Sequence, residues 1–301
     1  MKTVKTLREK KALPPHPMDA LIRTERLPHI WCSGCGIGTV FGSVMAAVQK
    51  SGTDPDRIAV VSGIGCTGRI AGYIRLDSFH TTHGRAIPFA TGLKLAKPDM
   101  KILVISGDGD LLAIGGNHFI HAARRNIDIT VVCVNNLNYG MTGGQLAPST
   151  PFGAKTVTST AGCPEEPFNF CYLASTCGAV YVARWTVLHI RRLTNSIAEA
   201  IQKRGFSFVE ILSPCPTSFG RRNRMGSALE TLKFYHMRSV IRNDIDPKDA
   251  PVDLGGQIVV GRFVDEERPT FMDNYRMACN RQIGDWLHAD RKGAPDNQTE
   301  R

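Results

Sequence analysis

The stretch Ser106–Gln145, SGDGDLLAIGGNHFIHAARRNIDITVVCVNNLNYGMTGGQ, decides the fold. It opens on Gly107-Asp108-Gly109, continues for 25 residues from Asp110 to Val134, and reaches Asn135-Asn136. An apolar run precedes each end, KILVIS (101–106) and IDITVVCV (127–134). Short runs of this kind read as buried parallel strands, and the segment between them as a helical crossover. Asp108 and Asn136 then stand at the carboxyl ends of two strands. That edge is where open α/β sheets bind their ligands.

The residue types at that edge point to a metal and a phosphate. A carboxylate, an amide oxygen and a nearby backbone carbonyl are hard donors. They suit Mg²⁺, which takes few protein ligands and completes its shell with phosphate and water. Glycines beside Asp108 let the backbone approach a diphosphate closely. A GDG triplet alone is a common turn. Paired with NN at this spacing, with a strand before each, it is a specific signal.

The flanking sequence extends the same alternation. A glycine-rich loop, WCSGCGIG (31–38), enters a helix, TVFGSVMAAVQKSG (39–52). IAVVSGIGC (58–66) reads as a strand ending in a loop, and AIPFATGLKLAKP (86–98) as a helix closed by Pro98. Residues 143–165 are rich in Gly, Pro, Ser and Thr and are expected to form a mobile active-site segment. FNFCYLAST (168–176) reads as a helix, AVYVARWT (179–186) as a strand, 186–205 as a longer helix and SFVEILSPC (207–215) as a strand. The expected fold is α/β, a parallel sheet covered by helices on both faces. Three regions are expected: a basic arm over 1–28 broken by Pro14, Pro15 and Pro17, an α/β domain over 29–220, and a subunit-contact tail over 221–301. In the tail, 225–240 looks helical, 257–265 looks like a short strand, and the last dozen residues are polar and expected to fray.

Composition narrows the class. The chain has 301 residues, a formal charge of +10 and nine cysteines. No apolar run is long enough for a membrane span. The start, MKTVKTLREKKALPPHP, lacks the apolar segment of a secretory signal, so the expected location is cytoplasmic. No nucleic-acid motif accompanies the charge. Basic residues gather in the N-terminal arm and at Arg221, Arg222 and Arg224. These form either solvated surface or an attraction for an acidic protein, coenzyme A or a dicarboxylate.

Four cysteines share a context. Cys32 and Cys35 form CxxC in the glycine-rich loop, Cys66 follows a strand in GIGCTGR, and Cys215 follows a strand in SPCPT. Four thiolates suit zinc or a [4Fe–4S] cluster, and spacing alone leaves the metal open. Cys133, mid-strand, is expected in the core, and Cys163, Cys171, Cys177 and Cys279 receive no role. DSFHTTHGR (77–85) places His80, His83 and Arg85 before a helix; such a histidine pair is often only a satisfied polar group. His118 and His121 read as structural.

The GDG…NN spacing resembles the diphosphate-binding motif of thiamine diphosphate enzymes. With NYGMTGGQ (138–145), the WCxGCG, GIGC and SPC contexts and THGR, the chain resembles over about residues 25–225 the β subunit of 2-oxoacid:ferredoxin oxidoreductases, most of all the 2-oxoglutarate type. The resemblance implies that Asp108, Asn136 and the carbonyl of Asn138 hold Mg²⁺. It implies that Gly109, Asp110, Gly140 and Met141 line the diphosphate, and that Ile64, Gly65, Cys66 and Thr67 border the cofactor. His83 would lie near the reacting carbon and donate a hydrogen bond or exchange protons. Cys32, Cys35, Cys66 and Cys215 would ligate a [4Fe–4S] cluster that passes electrons to ferredoxin, with coenzyme A taking the acyl group.

The same resemblance implies a partner α subunit. Thiamine diphosphate enzymes need a glutamate from a pyrimidine-binding module, and this chain has room for one α/β unit only. It is therefore expected to be inactive alone and to work as a dimer of αβ, with or without further small subunits. MTGGQLAPSTP (141–151) is more like the 2-oxoglutarate and branched-chain types than pyruvate enzymes. Alternatives are a branched-chain or pyruvate-type oxidoreductase, a cluster-free thiamine diphosphate decarboxylase or synthase, and a zinc-stabilised binding subunit. No GxGxxG opens a helix after a strand, which disfavours a nicotinamide acceptor.

Overall fold

In the computed structural model, which describes residues 16–292, the two apolar runs of the GDG…NN stretch are adjacent parallel strands. They are β3 (Lys101–Gly107) and β4 (Thr130–Asn135), with Ile105 opposite Val132. Residues 1–15, most of the expected basic arm, and 293–301 lie outside the described residues. The other strands are β1 (Ile58–Ser62), β2 (Asp77–His80), β5 (Tyr181–Thr186), β6 (Ser207–Leu212), β7 (Ser239–Ile241) and β8 (Ile258–Asp265). They make an eight-stranded sheet in the order β2-β1-β3-β4-β6-β5-β8-β7.

Successive side chains of a strand face opposite ways, and each face of this sheet carries its own core. Val60, Ile105 and Val132 pack on one side beneath α1 (Ile37–Ser51) and α5 (Ile190–Gln202). Val61, Val104 and Val131 pack on the other beneath α2 (Ala86–Ala96), α3 (Gly116–Arg124) and α4 (Phe170–Thr176). Burial on both faces explains why the central strands read as unbroken apolar runs. The chain ends in α6 (Ala228–Arg238) and α7 (Phe271–Lys292). No described helix is long and apolar enough to cross a membrane.

The structure differs from expectation in three places. The sheet is not purely parallel, because β8 runs antiparallel to β5, with Ala183 opposite Arg262 and a bulge beside it. Without β8, β5 would expose a row of unpaired backbone groups, and this part of the 221–301 region covers that edge. The crossover is not one helix: a π-turn over Asp110–Ile114 precedes α3. Strand β2 was not anticipated, because its sequence DSFH is exposed at an edge and lacks an apolar alternation.

Strand order places the site. From β1 the chain moves outward to β2, then returns across β1 to β3. The loops after β1 and β3 diverge there, leaving a crevice at their carboxyl ends.

Candidate active site

That crevice is lined by Ile64, Gly65, Cys66 and Thr67 after β1, by Gly107–Asp110 after β3, and by Asn136 and 138–142 after β4, with His83 from the α2 approach. It encloses about 130 Å³ and opens to solvent. A larger groove of about 840 Å³ lies beside Glu199–Arg204 and 267–269, at the opposite edge, where no such chemistry gathers. All the residues expected to border the cofactor therefore share one cleft.

Asp108 is 3 % exposed, and burial pushes its carboxyl up to about 7. A 2.5 Å hydrogen bond from Ser149 Oγ opposes that push, and the charge of Glu210 adds to it. A carboxylate buried this way calls for a cation. Asn136 Oδ1 is buried and has no hydrogen-bond partner among the described residues, so it is a second donor oxygen in need of one. Between Asn136 and Asn138, Leu137 adopts a left-handed backbone (φ 66°) although its side chain is buried. Non-glycine residues rarely hold that conformation unless their surroundings impose it. Here Asn135 Oδ1 accepts from the Leu137 N–H at 3.1 Å, and Thr150 Oγ1 donates to the Leu137 carbonyl at 2.7 Å. Asn138 Nδ2 donates to the Asn136 carbonyl at 2.7 Å. The donor set of one carboxylate, one amide oxygen and a turn carbonyl fits Mg²⁺.

Gly109 fits a close backbone approach, since a Cβ there would collide with the Tyr139 ring. Tyr139 Oη donates to the Gly109 carbonyl at 3.1 Å.

Asp110, 3 % exposed, lines the cleft but is already engaged. Its carboxylate accepts from the backbone N–H groups of Ile64 (3.2 Å) and Gly84 (2.9 Å), from Ser106 Oγ (2.5 Å), and from His83 Nδ1 in a short contact. It thus ties the β1 loop, the His83 loop and β3 together. A carboxylate at Nδ1 fixes the proton there, so neutral His83 presents Nε2 as an acceptor.

The four cysteines of interest converge beside this cleft. The CxxC loop turns through a 3.0 Å bond from Cys35 N–H to the Cys32 carbonyl, and Trp31 Nε1 donates to the Cys66 carbonyl at 2.8 Å. Gly34 holds φ 77°, and a Cβ there would run into Ala228. Thr217 Oγ1 reaches Cys32 Sγ at 3.6 Å, and Cys215 Sγ lies 3.9 Å from Asn138 Oδ1. Burial pushes the Cys35 thiol up to about 11, and the charges of Cys215, Cys66 and Cys32 push the same way. Cys66 is likewise raised by burial, then by Cys215 and Cys32. Four thiols that repel one another as thiolates, three of them partly buried, fit a site whose repulsion a positively charged metal core would relieve. Among the described residues, no three His, Cys, Asp or Glu side chains are placed to share a single metal ion.

Several functional contacts lay outside the sequence reading. Ser149 belongs to the loop expected to be mobile, yet it and Thr150 are buried, bonded to Asp108 and to the Leu137 carbonyl. Tyr139 and Glu210 were also missed. Cys133 is in the core as expected, while Cys171 donates to Glu210 Oε2 at 3.2 Å. Arg221, Arg222 and Arg224 are exposed.

Comparison with known proteins agrees with the geometry. Residues 63–211 match the family described as thiamine pyrophosphate enzyme, C-terminal TPP binding domain. The 2-oxoglutarate synthase subunit KorB of Methanothermobacter marburgensis is 50 % identical over 86 % of this chain and 90 % of its own length. The same subunit of Archaeoglobus fulgidus is 53 % identical over 77 % and 86 %. A solved 2-oxoglutarate:ferredoxin oxidoreductase from Magnetococcus marinus, with 2-oxoglutarate, coenzyme A and succinyl-CoA bound, superposes with a TM-score of 0.76 at 31 % identity, covering 89 % of this chain and 94 % of that one. The chain belongs to the KorB family, the β subunits of 2-oxoglutarate:ferredoxin oxidoreductases.

Proposed function

We propose that this chain carries the thiamine diphosphate and the electron exit of a coenzyme A-dependent 2-oxoglutarate:ferredoxin oxidoreductase. The observation that carries it is adjacency: Cys66 lines the cofactor cleft, and Cys215 Sγ sits 3.9 Å from Asn138 Oδ1 of the metal turn. Reaction centre and electron acceptor would then be neighbours.

Asp108, Asn136 and the carbonyl of Asn138 would hold Mg²⁺, with Gly109, Asp110, Gly140 and Met141 lining the diphosphate. Thiamine diphosphate, when bound, supplies the carbanion chemistry for oxidative decarboxylation of a 2-oxoacid. Ile64 and Met141, both substantially exposed at the rim, would give the cofactor ring an apolar contact. His83, held through Nδ1 by Asp110, would take or give a proton at Nε2. Cys32, Cys35, Cys66 and Cys215 would ligate a [4Fe–4S] cluster, soft thiolates being its ordinary ligands. A partner α subunit would supply the missing pyrimidine-side glutamate and close the open side of the cleft, in a dimer of αβ. Residues 29–220 would form the cofactor-binding unit and residues 221–301 a subunit-contact region, of which β8 also completes the sheet. The exposed arginines 221, 222 and 224 suit an acidic ferredoxin, coenzyme A or a second carboxylate. No described helix is long and apolar enough to cross a membrane, and a cytoplasmic location is part of this proposal.

The test is anaerobic co-purification with the α subunit, followed by viologen reduction with several 2-oxoacids and coenzyme A. Reduction that requires both subunits, with 2-oxoglutarate far above pyruvate in kcat/KM, is expected. Equal kcat/KM for the two acids would remove the substrate assignment, and activity of this chain alone would remove the partner.

A further inference from the structure

Behind the Asn136–Asn138 turn, on the α4 face of the sheet, lies a charged pair that does not itself line the cleft. Arg184 in β5 and Glu210 in β6 are register partners, both 0 % exposed, joined by a 2.6 Å bond from Nε to Oε2. Neither is among the residues that line the cleft. A buried pair often contributes little net stability, so its presence in two apolar strands asks for another reason.

The hydrogen bonds supply one. Glu210 Oε1 accepts from Asn135 Nδ2 at 2.8 Å, which orients the Asn135 amide. That orientation turns Asn135 Oδ1 toward the Leu137 N–H, the 3.1 Å bond that supports the left-handed turn between Asn136 and Asn138. On the other side Arg184 donates to the Ala250 carbonyl at 2.5 Å and to Asn169 Oδ1 at 3.2 Å. Asn169 caps α4 and donates to the Pro247 carbonyl at 2.7 Å. Each guanidinium nitrogen and both carboxylate oxygens therefore have a partner, and one arm of the network ends on the turn. Were Glu210 replaced by an apolar residue, the Asn135 amide could rotate and leave the Leu137 N–H unpaired.

We propose that Glu210, anchored by Arg184, is a positioning residue for the metal site: through Asn135 it holds the turn that aims Asn136 and Asn138 at the cation. The proposal rests on the magnesium assignment made above. Partners one step behind a ligand commonly contribute about 10- to 100-fold to metal affinity.

The test titrates Mg²⁺ into the αβ complex at fixed thiamine diphosphate by calorimetry, with iron content and urea midpoint measured on each sample. Glu210→Gln sets an amide donor against Arg184 and is expected to raise half-saturating Mg²⁺ about tenfold or more with iron content unchanged. Because that variant can lose the fold, two others carry the same decision. Asn135→Ser keeps a side-chain oxygen near the Leu137 N–H but cuts the tie to Glu210. Arg184→Met with Glu210→Met replaces the pair by apolar side chains that fill similar space. In both, the Mg²⁺ shift is expected even where the urea midpoint equals that of the wild type. A half-saturation within about twofold of wild type in any folded variant overturns the proposal. Asp108→Asn serves as the reference: if it too leaves the Mg²⁺ titration unchanged, the magnesium assignment fails, whereas a shift there alone defeats only the positioning role.

Discussion

Asp108 should make the empty protein less stable than a variant that cannot hold the metal. Its carboxyl is buried and raised to about 7, against an ordinary value of 3.8. The folded chain therefore binds a proton that the unfolded chain has released, and stability falls as pH rises between those values. The penalty is absent below about pH 4, grows toward pH 7 and is constant above it. At about 1.4 kcal/mol per tenfold, it reaches an upper figure of about 4 kcal/mol at pH 8.5, and about 2 kcal/mol of that accrues above pH 5.5. Asp108→Asn removes the charge and keeps an oxygen to accept from Ser149 Oγ. Urea unfolding of the chain stripped of Mg²⁺ and thiamine diphosphate should show the variant more stable at pH 8.5, and its advantage shrinking by about 2 kcal/mol at pH 5.5. Adding Mg²⁺ and thiamine diphosphate should reverse the order, because only the wild type gains. A stripped wild type as stable as the variant at pH 8.5 would refute the reasoning, since the carboxylate would then not be waiting for a cation.

Other outcomes follow from single contacts. Gly109→Ala must displace the Tyr139 ring and its 3.1 Å bond, so a loss of about 1–3 kcal/mol and weaker thiamine diphosphate binding are expected by thermal shift with and without cofactor. Asp110→Asn turns one acceptor into a donor among four incoming N–H and O–H groups, so a stability loss of about 2–3 kcal/mol in urea is expected, with an altered pH–rate profile as the His83 tautomer is freed. Cys66→Ser replaces a soft ligand by a hard one. Iron and acid-labile sulfide should drop to near background while thiamine diphosphate still binds, and an unchanged iron content would exclude Cys66 as a ligand.

Much of this was legible because it rests on local rules. The unbroken apolar runs marked doubly covered strands, and the glycines and amides after them marked the site edge. The convergence of Cys32, Cys35, Cys66 and Cys215 could be inferred because each follows a strand or enters a helix at that same edge. The mixed sheet was not legible: nothing in QIVVGRFVD states which strand it will pair with or in which direction. Ser149 was hidden because its partner is 41 residues away, and a Ser/Thr-rich loop reads as solvated until its contacts are known. Asp110 was placed at the diphosphate by the family resemblance, and it does line the cleft; its bracing of the β1 loop, the His83 loop and β3 shows only once they are folded around it. Arg184 and Glu210 did leave a signal. A lone cation in YVARWT and a lone anion in SFVEIL, each inside an otherwise apolar strand, have to find one another if both strands are buried. Reading strands for apolar content alone passed over both.

The most direct test of the central claim is a spectroscopic titration of the anaerobic αβ complex with 2-oxoglutarate and coenzyme A, with no ferredoxin present. Bleaching of the visible iron–sulfur absorption is expected in the wild type and not in Asp108→Asn carrying the same iron. Bleaching that persists in the variant, or a wild-type complex without iron, would contradict a metal-held thiamine diphosphate seated beside a cysteine-bound cluster in this chain.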